Sequence, residues 1–353
     1  MKKQKPMLRI VAFCLVFLVF VYLLTWLAKP DSRDMEHIAG LYGEARDSTD
    51  VVYIGGSASF VYFAPLRAWE QFGIVTLDYG ANSMQAELYP LLIKELRKTQ
   101  SPELIVLDAR TFGYRDPDSP DAMPPAEISY RATLDGLRLS SEKIRFISRY
   151  VEGIGKAKLP YYLDLIKYHT NIVNCKAQNL EMMLGIFRDP YRGFHLVPKY
   201  QAVETGNYRT EERRPLSAET DGILDEILDL LDDWGVQCLF VVSPFAEESS
   251  HKAIYNYIQD RVEQRGYQFL DANDYRDEMG LDDSRDYYNV GHVNVFGAEK
   301  FTDFLSEYLI AQYRIPIRRE DPKYAFMDEY LPAWNEKLSE TKAEILSLME
   351  KKQ

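Results

Sequence analysis

The chain has 353 residues, 46% of them hydrophobic and 27% charged, and a formal net charge of −12. That length and apolar content are those of an ordinary globular protein and can bury the core of one large domain or two small ones, so disorder is not the default. Residues 1–29 hold five basic and no acidic side chains, so the remainder carries 37 basic against 54 acidic groups, a net of −17 that argues against nucleic acid as a partner.

Ile10 to Ala28 form an uncharged run of 19 residues rich in Leu, Val and Phe. At 1.5 Å per residue it nearly crosses a bilayer core of ~30 Å, which predicts one transmembrane helix over 10–28, in contact with lipid. A cleavable signal would have a shorter apolar region, ~7–15 residues, and then a small-residue site, which Thr25-Trp26-Leu27-Ala28-Lys29 does not offer. Trp26 and Tyr22 suit the aromatic belt at the membrane interface. Lys2, Lys3, Lys5 and Arg9 precede the span, so the positive-inside rule predicts a cytoplasmic tail over 1–9 and an extracytoplasmic body.

Residues 29–49 are polar and predict a helical stalk. Apolar runs at 51–54, 74–77, 104–107, 236–242 and 267–270 then predict five strands, with helical periodicity over 88–96 and 223–234 between them. Strand alternating with helix predicts an α/β domain over 50–314 with a parallel sheet. Between the third and fourth strands, residues 116–215 interrupt the alternation with a Pro/Asp-rich loop and helical runs over 141–150 and 159–174, and they read as a helical insertion beside or over the sheet's carboxyl edge. Residues 315–353 form a helical extension whose last helix is expected over 335–349. Cys175 and Cys238, the cysteines outside the span, either pair or remain free thiols. The Asp-Asp pairs lack calcium-loop spacing, so no metal or other cofactor is expected.

The first strand ends in Gly55-Gly56-Ser57, where glycines permit a sharp strand-to-helix turn that presents the serine at the sheet's carboxyl end. A serine hydroxyl needs a base to attack an ester, and His292, in a loop that opens a helix at Asp286-Tyr287-Tyr288-Asn289-Val290-Gly291-His292-Val293-Asn294, is positioned to serve.

An early strand-Gly-x-Ser with a late His-x-Asn-x-x-Gly-Ala helix start resembles the SGNH (GDSL-like) hydrolase superfamily over most of residues 51–310. The resemblance implies a flavodoxin-like three-layer sandwich with a five-stranded parallel sheet, Ser57 as nucleophile, His292 as base and Gly80 as an oxyanion-binding position. Two positions depart from the family pattern. The acid that orients the base is replaced by Asn289, which can orient the ring but adds no charge, and Asp286 is the alternative. The third-block asparagine is absent from Leu107-Asp108-Ala109-Arg110-Thr111, leaving Arg110 or Thr111 to bind the oxyanion.

Within that superfamily the anchored architecture looks like the group containing the teichoic acid D-alanyl transfer protein and the alginate O-acetylation proteins. The resemblance implies a serine esterase or O-acyltransferase acting on a cell-envelope glycopolymer through an acyl-serine, beside a membrane-bound O-acyltransferase. The alternative is a catalytically impaired binding or assembly module of an envelope-modifying complex.

Overall fold

A computed structural model describes residues 4–351 of the chain. Lys2 and Lys3, which contribute to the expected orientation, lie outside the described residues. Five strands, β1 (Val51–Gly55), β2 (Thr76–Gly80), β3 (Leu104–Asp108), β4 (Gln237–Val242) and β5 (Gln268–Asp271), form one sheet in the order β2-β1-β3-β4-β5. Every neighbouring pair is parallel. The strands read as unbroken apolar runs because both faces are covered. Val52, Ile54, Ile105, Leu107 and Phe240 face one apolar layer, while Val51, Tyr53, Leu104, Val106 and Leu239 face the other. Helices Tyr89–Leu96, Ala218–Trp234 and Ser249–Gln264 supply the first layer; Pro65–Phe72, Val295–Tyr313 and Leu331–Glu350 supply the second.

Three expectations need correction. β2 begins two residues later than its apolar run suggested and continues through Gly80, because Gly80 pairs with Gly55 across the ladder. Residues 29–49 are not a stalk. Helix Arg33–Gly40 buries Met35, His37, Ile38 and Ala39 against the body, and Ile38 and Leu41 join its core. Trp26 is 1% exposed, packed with Met35, Ala39, Met182 and Phe187 rather than facing an interface.

The long first helix, Gln4–Leu27, contains a stretch, Met7–Leu27, long and apolar enough to cross a membrane. Its end is fastened to the body. Lys29 Nζ donates to the Asp135 carbonyl at 2.5 Å, lies 3.3 Å from Asp164 and sits over the Trp26 ring. Arg131 bonds both Asp135 and Asp164, at 3.0 and 2.7 Å. These are buried charges, and removing one partner from such a set leaves another unpaired.

Between β3 and β4 the chain serves both layers. Tyr130, Phe146, Ile147 and Val151 enter the first, whereas Phe194, Leu196 and Val203 enter the second. The crossing runs along the β2 edge: Asp78 N–H donates to the Arg192 carbonyl at 3.0 Å and Arg192 Nε donates to the Thr76 carbonyl at 2.8 Å. An edge that would otherwise expose unpaired backbone is thereby closed. Cys238 is buried in β4 and Cys175 is exposed, so the two remain free thiols.

A Cβ at Gly80 would stand 2.1 Å from the Gly55 carbonyl oxygen, whereas one at Gly153 would meet nothing within 4 Å. Gly80→Ala is therefore expected to destabilise the chain by about 1–3 kcal/mol or more, through overpacking against backbone that cannot yield. Thermal unfolding of the full chain in detergent checks this, with Gly153→Ala as the substitution expected to leave the midpoint nearly unchanged.

Candidate active site

Ser57 opens the short helix Ser57–Phe60 that follows β1 directly, with Gly56 in extended conformation as its N-cap. The turn is tight for a steric reason. A Cβ on Gly55 would lie 2.6 Å from Asp108 Cβ, so only glycine lets β1 and β3 approach this closely. Asp108 holds both turns. Its carboxylate accepts from Arg110 N–H at 2.9 Å, from Thr111 Oγ1 at 3.1 Å and, at 3.4 Å, from Gly56 N–H.

His292 lies in a hairpin absent from the sequence-based expectation, in which Tyr287–Asn289 (β6) pairs antiparallel with His292–Val293 (β7). Helix Val295–Tyr313 starts only afterwards, capped by Asn294, whose Oδ1 accepts from Phe296 N–H at 2.9 Å. Asn289 and His292 are direct cross-strand partners, so their side chains share one face. The result is a relay. Ser57 Oγ is 2.7 Å from His292 Nε2, and His292 Nδ1 is 2.9 Å from Asn289 Oδ1.

The tautomer follows from the partners. Asn289 Oδ1 also accepts from Gly291 N–H at 2.9 Å, which marks that atom as the amide oxygen. His292 Nδ1 must then carry the proton, leaving Nε2 free to accept from the serine hydroxyl. Burial, reinforced by the Arg110 charge, pushes the His292 pKa down from 6.5 to about 3, so the ring is a neutral base at physiological pH. Tyr288 stacks on it at 5.2 Å between centroids.

Asp286, the alternative orienting acid, is not brought to His292. Its carboxylate pairs with Lys300 at 2.6 Å and accepts from Asp282 N–H at 2.8 Å, facing the start of the long helix. Thr111 is fully buried between Asp108 and Tyr89, and therefore cannot reach an oxyanion. Gly80 ends β2 against Gly55 and does not line the cleft beside Ser57. Its lack of a side chain serves the β1–β2 contact.

Arg110 does line that cleft. It is 2% exposed and forms no side-chain ion pair with Asp108; Nη1 donates to the Gly291 carbonyl at 2.9 Å, with Tyr62 Oη at 3.3 Å. Its Nε has no partner, and the guanidinium lies over the Phe245 ring. A permanent cation held by neutral groups beside a serine-histidine pair is suited to meet negative charge developing on a substrate.

The cleft has a volume of about 1030 Å³ and brings in residues that the sequence did not single out. Tyr62, sealed beneath it, bridges two loops, its hydroxyl 2.9 Å from the Pro244 carbonyl and 2.7 Å from that of Gly291. His251, which also lines the cleft and packs on Phe245, accepts at Nδ1 from Glu248 N–H, which leaves Nε2 protonated 3.2 Å from Asp121. Glu247 is buried with neither carboxyl oxygen paired, and burial, then the neighbouring Asp271, raises its pKa to about 9. It is a neutral carboxylic acid able to donate a hydrogen bond. No sequence motif marks these residues; they belong to loops and to the first turn of helix Ser249–Gln264, which meet only in the fold.

Compared with known proteins, the chain matches no family model and no curated sequence.

Two expectations follow for labelling of Ser57 by a fluorophosphonate. Because the folded pKa of His292 is depressed, protonation disables the base only at low pH, so the rate should stay flat from about pH 8 to about pH 5; a midpoint near 6.5 would contradict the buried ring. Asn289→Ala should slow labelling by roughly tenfold or more through loss of ring orientation, whereas Asp286→Asn should leave it within about twofold.

Proposed function

We propose that this chain is a membrane-anchored serine esterase or O-acyltransferase of the SGNH type, acting outside the cytoplasm on a cell-envelope glycopolymer. The observation that carries the reading is the Ser57–His292–Asn289 relay at the mouth of a solvent-open cleft. The strand order 2-1-3-4-5 supports a flavodoxin-like sandwich, in which ligands bind beyond the strands' carboxyl ends, where Ser57 stands. In that sandwich residues 116–215 are the helical insertion.

The chemistry runs in two halves. His292 Nε2 takes the hydroxyl proton as Ser57 Oγ attacks the acyl carbonyl, and the carbonyl π electrons move onto oxygen beside Arg110 and the Ser57 backbone N–H. Collapse expels the donor's oxygen, which receives the proton from His292, and leaves an acyl-Ser57. A sugar hydroxyl or water then gives its proton to His292 and attacks the acyl carbon, and collapse breaks the acyl–Oγ bond as His292 returns that proton to Ser57. A cleft lined by Tyr114, Tyr288, Asp121, Glu247 and Glu248 offers the mixture of rings and carboxyl groups that suits a polyhydroxylated acceptor. A membrane-bound O-acyltransferase is the proposed source of the acyl group.

The neutral Asn289 favours a second reading, a binding or assembly module that has lost turnover, since nothing in the relay compensates an imidazolium. Ser57→Ala separates the two. Loss of fluorophosphonate labelling, and of the acyl group found by mass spectrometry on the Ser57 peptide of the wild-type chain after incubation with an activated ester, supports catalysis. Labelling that survives the substitution would sink Ser57 as nucleophile, and a folded wild-type chain that never acylates favours the module.

A further inference from the structure

The membrane helix is not separated from the body by a spacer. Met7–Leu27 is 21 residues, about 31 Å of helix, so all of it is needed to cross a core of ~30 Å. Yet a cleft of about 320 Å³ runs between this helix and the body, lined on the helix by Leu18, Val21 and Tyr22 and on the body by Leu137, Leu139 and Leu163, with the buried charges of Lys29, Lys143 and Asp164 also in its wall. Leu18 lies nine residues before the helix end, about 14 Å along its axis. A body surface that flanks the helix that far down lies at the level of the lipid.

The composition of that surface agrees. Leu139, Leu159 and Val173 are 53%, 61% and 82% exposed, and Ile144 and Ile166 are exposed beside them. Residues 138–177 carry eight basic and three acidic side chains within a body whose net charge is −17. Lys156, Lys158, Lys167 and Lys176 make only exposed pairs, which are worth about 0–1 kcal/mol and yield readily to other anions. Exposed apolar side chains among lysines and tyrosines are the pattern of a segment lying in a membrane interface.

The attachment is also rigid. Asn171 Nδ2 donates to the Ala28 and Lys29 carbonyls at 3.2 and 3.1 Å, and Asn179 Nδ2 donates to the Trp26 and Lys29 carbonyls at 3.2 and 3.0 Å. With the buried Lys29–Asp164–Arg131 cluster, these bonds fix the 139–176 surface against the end of the helix.

We propose that residues 139–176 form a foot seated in the bilayer leaflet next to the body, with lipid chains entering the cleft between foot and helix. The proposal rests on the helix crossing a bilayer, and it adds that the catalytic domain is held against the membrane in one orientation rather than tethered above it. The occupant is lipid because the surface continues the face of the membrane helix and carries charge complementary to anionic headgroups.

Full-length chain in nanodiscs of phosphatidylglycerol and phosphatidylcholine, one copy per disc, tests this. An environment-sensitive fluorophore is placed on Leu159→Cys or Val173→Cys with Cys14 and Cys175 replaced by serine, on Leu346→Cys as a control, and on native Cys14 in a chain lacking Cys175. Acyl-chain nitroxide lipids should quench the labels at 159 and 173 roughly twofold or more beyond the label at 346. Quenching at Cys14 but not at 159 or 173 would overturn the foot while keeping the span, and no quenching at Cys14 would remove the span itself. Labels at 159 and 173 that escape the nitroxide lipids and shift their emission only when a second, unlabelled copy shares the disc would assign the surface to a second chain and overturn the lipid.

Discussion

Gly55 lies so close to Asp108 that a Cβ there would stand 2.6 Å from the Asp108 Cβ, and Gly80 is equally confined against the Gly55 carbonyl. This close approach of three strands at their carboxyl ends is the constraint on which the site depends. It allows one buried carboxylate, Asp108, to hold the Gly56 and Arg110 amides together, and so fixes Ser57 and Arg110 relative to each other. Burial raises the Asp108 pKa, against the opposing pull of Arg110 and its hydrogen bonds. A polar group is kept in the interior because its oxygens are occupied.

The other half of the site is assembled from the far end of the chain. Tyr62, just beyond the Ser57 helix, reaches the Pro244 and Gly291 carbonyls, and Thr302 Oγ1 accepts from Ala64 N–H at 2.9 Å. These contacts bring the hairpin that carries His292 to Ser57, 235 positions apart in sequence. The electrostatics then oppose each other. The Arg110 charge that suits a developing oxyanion also disfavours an imidazolium at His292, and Asn289 supplies direction without compensating charge. The arrangement keeps the base neutral and ready at the expense of its charged form.

The junction with the first helix follows the same logic of buried, compensated charge. Lys29 lies over the Trp26 ring among Asp135, Asp164 and Arg131, and burial lowers its pKa to about 8 despite the neighbouring carboxylates. A flexible linker would leave such a lysine in water. Here it fastens the helix to the domain.

Much of this was legible in the sequence because it depends on local pattern. Apolar runs between helical repeats defined an α/β chain with a parallel sheet, since strands buried on both faces cannot alternate, and an uncharged run of 19 residues defined the candidate span. Gly-Gly-Ser after a strand marked Ser57, and its partner His292 was recognisable by residue type and context. Only the tertiary structure decided which neighbour serves His292. Asn289 and Asp286 both precede it closely, but the hairpin aligns Asn289 across the strands and turns Asp286 to Lys300. The same holds for Thr111 sealed under Tyr89, for Trp26 turned inward and for the 29–49 segment folded onto the body. Periodicity reports which face of an element is apolar; the direction of one polar side chain is set by what the fold packs against it, from three positions away for Asn289 to 153 for the Trp26 carbonyl.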